Sequence, residues 1–143
     1  MKQTPDDGSA KSEFTFDPTN KVVGIIDEPG DAIAALRDLR AAGFTADEIE
    51  VLMGEEGARR IDISGEWQGV LVHIVASTQK PPAYYDAPVI VRRVQEETLA
   101  GHYFIGIAAK ESEANERALD ILKSHGGHFI NFYGRWAAEA LEP

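Results

Sequence analysis

The sequence predicts an α+β fold, and three observations predict it. Short apolar, β-branched runs recur at 22–26, 49–54, 102–108 and 128–134, each the length of a buried strand. Two amphipathic stretches at helical spacing fall between the first and second runs and between the third and fourth. The order strand, helix, glycine, strand occurs at both ends of the chain. Gly24 aligns with Gly106, Ala32 with Ala114, Asp38 with Asp120 and Leu39 with Ile121, while Gly54 and Gly134 close the second strands. This reads as an internal repeat of two βαβ halves. A βαβ unit this short has a right-handed crossover and leaves room for one strand between its pair. Two units then interleave into a four-stranded antiparallel sheet with helices on one face, the split βαβ, ferredoxin-like arrangement.

Each element has its own local reason. Residues 1–20 are polar apart from Phe14 and Phe16. They bury too little surface to offset ordering, and a flexible tail is expected. Val22-Val23-Gly24-Ile25-Ile26 reads as the first strand. Asp27-Glu28-Pro29-Gly30-Asp31 then places acids and a proline where a helix begins. Ala32, Leu36, Leu39 and Gly43 follow at helical spacing, with Gly43 suited to a left-handed cap and Phe44 able to fold back. Thr45-Ala46-Asp47-Glu48 has the form of a capping box, and Ile49 to Gly54 reads as the second strand. In the second half, Glu111 to His125 presents Ala114, Ala118, Ile121, Leu122 and His125 on one face. Gly126-Gly127 stops it, and His128 to Gly134 is the fourth strand. In that strand, Phe129 and Tyr133 face one side, Ile130 and Phe132 the other.

The sheet face without helices needs a cover, and residues 55–100 are expected to supply it as an inserted helical hairpin. Trp67, Leu71, Ile74, Val75 and Thr78 lie at helical spacing, and Lys80-Pro81-Pro82 breaks the run. A second helix begins near Asp86, with Ala87, Ile90, Val91, Val94 and Thr98 along one stripe and Gly101 at its end. The expected layout is a tail at 1–20 and one domain at 21–143, divided into a first half (21–54), an insertion (55–100) and a second half with a C-terminal turn (101–143).

Composition narrows the function. Of 143 residues, 24 are Asp or Glu and 14 Lys or Arg, a formal charge of -10. Such a chain repels phosphate backbones and anionic bilayers, so neither nucleic acid nor membrane is an expected partner. The chain contains no cysteine, which removes disulfides, thiolate nucleophiles and thiolate metal ligands. No run approaches the ~20 apolar residues of a membrane span, and Met1 to Gly8 has no signal-peptide core. A cytoplasmic setting is expected. The bare sheet face and the terminal aromatics point to a homodimer, with a protein or small molecule as a further partner.

Several stretches resemble a known family. Val22 to Pro29, Leu36 to Phe44, Ile49 to Leu52, Gly54 to Asp62 and Gly127 to Trp136 are similar to bacterial heat-induced, general stress proteins and their uncharacterised relatives. The resemblance spans about residues 21–137, the size of a domain. It implies stress-linked expression and carries no catalytic signature. Since fold does not set function, it assigns no active-site residue.

The topology gathers one set of polar groups. The C-terminal ends of the first two strands share a sheet edge with the starts of the last two. That edge collects Asp27, Glu28, Glu55, Glu56, His102, His125 and His128. Imidazole with carboxylate suits a divalent transition metal or acid–base chemistry. The structural alternative has His125 capping its helix and the other two as strand-start residues. Arg59 and Arg60 offer forked donors for a carboxylate or phosphate, or pair internally with Glu55, Glu56 or Asp62. Trp67, Tyr84, Tyr85, Tyr133 and Trp136 form either an aromatic pocket or a subunit interface. No P-loop, G-x-G-x-x-G or nucleophile elbow occurs, so no cofactor and no catalytic residue are expected. A non-catalytic interaction or ligand-binding module is the leading expectation; a metal protein or enzyme built on the histidine edge is the alternative.

Overall fold

Val22, Val23, Ile25 and Ile26 are all fully buried. Alternate residues of a strand face opposite ways, so this strand must be covered on both sides. The computed structural model, which describes residues 20–61, 69–75, 88–133 and 138–142, shows how. The elements are β1 (Lys21–Ile26), α1 (Pro29–Ala41), a 3-10 turn (Ala46–Glu48), β2 (Ile49–Gly54), α2 (Glu55–Arg59), β3 (Leu71–Val75), α3 (Pro88–Leu99), β4 (Tyr103–Ala108), α4 (Ser112–Ser124), β5 (His128–Tyr133) and β6 (Ala138–Glu142). The strands form one mixed sheet in the order β3-β2-β4-β1-β5-β6. Neighbours are antiparallel except β2 and β3, which run parallel.

The α+β class therefore holds, with three departures from expectation. Among the described residues, the sheet has six strands rather than four. Leu71–Val75 is a strand, not the first helix of a hairpin. The run Leu-Val-His-Ile-Val is rich in β-branched residues, and pairing with β2 outweighs its helical spacing. Residues 138–142, expected as a turn, pair with β5. The second expected helix of the insertion is present as α3.

The helices also divide between the two faces. Ala32, Ala35, Leu36 and Leu39 of α1 and Ala118 and Leu122 of α4 join Val22, Ile26, Val51, Met53, Tyr103, Ile105, Ile107 and Ile130 in the main core. On the opposite face, Val94 of α3 packs with Val23, Ile25, Leu52 and Phe104 in a smaller cluster. So α3, part of the insertion expected to supply the cover, packs on the face opposite α1 and α4. Its last turn lies directly on β2. A Cβ at Gly54 would collide with the Thr98 carbonyl, so only glycine lets the two backbones approach so closely.

Among the described residues, the three long helices end alike. Phe44 N donates to Leu39 O at 3.1 Å, Gly127 N to Leu122 O at 2.7 Å, and His102 N to Glu97 O at 2.9 Å. Each is preceded by a glycine of positive φ, namely Gly43, Gly126 and Gly101. This is the Schellman cap, which brings the side chains five residues apart together. In α1 the pair is Leu39 and Phe44, both buried in the core. In α3 it is Glu97 and His102. The same backbone device seals a hydrophobic end in one helix and builds a polar contact in the other.

Candidate functional site

Register brings the polar groups together. Ile26 pairs with Tyr103 across β1 and β4, so Asp27 and His102 are opposed just beyond the last rung. His128 lies across from Ile25 at the start of β5. The α3 cap adds Glu97. His128 Nε2 lies 2.8 Å from Asp27 Oδ1. His102 Nδ1 lies 2.7 Å from Glu97 Oε1 and 3.3 Å from the same Asp27 oxygen. Carboxylates only accept, so both imidazole nitrogens act as donors here. Single ligand atoms of Asp27, Glu97 and His128 all lie within 4.8 Å of one another. The cluster opens outward: the Asp27 side chain is 46 % exposed and that of Glu97 16 %.

A further layer supports it. Arg93 Nε donates to Glu97 Oε2 at 3.0 Å. Its guanidinium lies over the Phe129 ring, 4.4 Å from the centroid, close enough for a cation–π contact. Phe129 follows His128 and has a φ of 52°, unusual for a bulky residue. The pairing of β1 with β5 slips by a residue there, between Val23 and Ile25. The bulge inserts one extra residue; Phe129 joins the α3-side cluster and Ile130 the main core, on opposite faces as strand alternation expects. Asn131 Nδ2 donates to the Phe129 carbonyl at 3.1 Å and braces the bulge. Strain of this kind gathers at functional sites.

The other sequence candidates fall elsewhere. His125 does not join the edge. It sits at the end of α4, and its Nε2 lies 2.7 Å from Asp38 Oδ2 of α1, because the Gly126-Gly127 turn separates it from His128. Glu55 and Glu56 begin α2, and Glu56 pairs with Arg59. Arg60 donates to the Gly101 carbonyl at 3.0 Å and lies 3.4 Å from Glu28 Oε1. Both arginines of the expected anion clamp thus have partners within the chain. Trp67, Tyr84, Tyr85 and Trp136 lie outside the described residues, as does the Tyr133 side chain. Buried Tyr103 donates its hydroxyl to the Gly57 carbonyl at 2.8 Å. Burial pushes its phenol above the ordinary value of 10.0, Arg60 opposes the shift, and Glu28 and Glu56 add to it.

Sequence reasoning missed Glu97 and Arg93. The signal for Glu97 was present: Gly101 at the end of a predicted helix puts the residue after it, His102, against the one five places earlier. Arg93 follows from Glu97 at i,i+4 spacing. A second grouping was also missed. Glu50 accepts from Lys21 Nζ at 3.1 Å and lies 2.6 Å from His73 Nε2. It depends on β3 being a strand. Comparison with family models, curated proteins and solved structures finds no match to this chain. No helix among the described residues is long and apolar enough to cross a membrane.

Proposed function

We propose that this chain is a divalent-metal-binding module whose ligands are Asp27, Glu97 and His128, with His102 holding the two carboxylates. The observation that carries the reading is the mutual approach of those three ligand atoms within 4.8 Å. Metal bonds of about 2.1 Å to nitrogen and oxygen put tetrahedral ligand atoms about 3.4 Å apart. Small side-chain rotations span that difference, and no backbone rearrangement is needed. Mixed imidazole and carboxylate donors favour zinc or a neighbouring first-row ion over calcium or magnesium. His128 must give up its Nε2 hydrogen to bind, so binding releases a proton or shifts it to Nδ1. His102 then plays the orienting role common behind metal carboxylates.

The reading places the site on a split βαβ core. Support comes from β2, β4, β1 and β5, which lie in that spatial order and are antiparallel throughout, with β3 and β6 added at the two edges. Combined with the resemblance to heat-induced proteins, the proposal is a stress-linked module whose chemistry is metal binding.

The test is equilibrium dialysis of the untagged full chain against zinc at micromolar concentration. One ion per chain is expected, with affinity lowered about a hundredfold or more in His128→Ala and in Glu97→Gln, and unchanged in His125→Ala. Absence of retained zinc, or equal retention in all three variants, would falsify the reading.

A further inference from the structure

We infer that the metal-loaded site takes a small oxyanion as its remaining ligand, with Arg93 as the second point of attachment. The inference rests on the metal reading and deepens it. Three protein ligands leave a tetrahedral ion one open position, and the exposed Asp27 side of the cluster is where that position meets solvent.

Charge decides what fills it. A divalent cation and the Arg93 guanidinium outweigh the two carboxylates by one positive charge. A bound ion is the largest local charge in such a site, and here it turns an acidic edge of an acidic chain into an anion acceptor. Water alone leaves that charge unmatched; a carboxylate or phosphate oxygen matches it.

Arg93 is placed to complete the contact. Its Nε is committed to Glu97 and its face to the Phe129 ring, so the guanidinium is held from two directions. Among the described residues, nothing accepts from its terminal Nη groups. Those donors form a fork matched to the paired oxygens of a carboxylate or phosphate. Glu97 accepts from Arg93 Nε and is also a ligand in the proposed set, so the fork and the open position border the same side chain. The Phe129 ring, 4.4 Å from the guanidinium carbon, backs the fork.

The experiment uses the untagged chain loaded with cobalt(II), whose visible absorption reports its ligands. Acetate and inorganic phosphate are titrated separately, the first a planar oxyanion and the second tetrahedral. A saturable spectral change with one anion per cobalt is expected from at least one, and the stronger of the two names the anion geometry. Arg93→Gln should weaken that anion about tenfold or more, with Arg93→Lys between the two. Cobalt affinity is measured separately for each variant by chelator competition, so a loss of metal is not mistaken for a loss of anion. Cobalt uptake with no response to either anion overturns this inference and leaves the metal reading standing. An unchanged anion titration in Arg93→Gln also overturns it. Failure to take up cobalt removes both.

Discussion

The two faces of the sheet are built from the same strands and do different work. The face under α1 and α4 is a continuous apolar core of fully buried aliphatic and aromatic side chains. The face under α3 has a small apolar cluster flanked by charge: Glu50 with Lys21 and His73 on one side, Asp27 with Glu97, His102 and His128 on the other. Packing holds the first face, and the second is where a fixed polar geometry is affordable. Apolar packing and the polar groupings are thus separated by the alternation of side chains along each strand.

Substitutions should separate in the same way. The largest effect on stability is expected on the main core face. Leu36→Ala should cost about 3 kcal/mol in denaturant unfolding through lost burial and a cavity, and leave zinc affinity of the folded protein unchanged. Gly54→Ala should cost about 2 kcal/mol by overpacking against Thr98. Unlike Leu36→Ala, it should also weaken zinc binding, because the collision lifts the end of α3 and Glu97 with it.

Tyr103→Phe should cost about 1–2 kcal/mol by leaving the Gly57 carbonyl without its buried donor. It should also change the pH profile. The folded chain holds the phenolic proton more tightly than the unfolded chain does. The unfolded state ionises first as pH rises past about 10, so native stability falls from there upward. That alkaline decline should be shallower in Tyr103→Phe. The smallest effect is expected for His125→Ala. It removes a surface pair with Asp38 worth under about 1 kcal/mol, with no change in metal binding. A large zinc defect in His125→Ala would break the assignment of the two histidines to different places.

Much of this was readable from residues. The short βαβ connection and the apolar runs put the ends of the first two strands at one edge with the starts of the last two, the edge that carries Asp27, His102 and His128; the registers that bring these three together come from the structure. The capping box at Thr45 was readable too, and Thr45 N indeed donates to Glu48 Oε1 at 2.9 Å. The insertion was harder. Val70 to Val75 satisfies helical and strand spacing at once, and only the partner strand β2 decides between them. His125 was misplaced because two consecutive glycines leave direction open, and the left-handed Gly126 turns the chain away. Glu97 was missed for a different reason. Sequence patterning follows faces of helices, whereas the cap joins the last turn to a residue beyond the helix.

The most direct test of the central claim is the visible spectrum of the cobalt(II)-loaded chain compared with Glu97→Gln. Glu97 is the one ligand contributed by α3, and it joins the histidine edge only if the cap geometry is right. The account predicts an intense d–d band in the parent that is lost or strongly shifted in the variant, with the fold intact by circular dichroism. An identical spectrum in both proteins would contradict it.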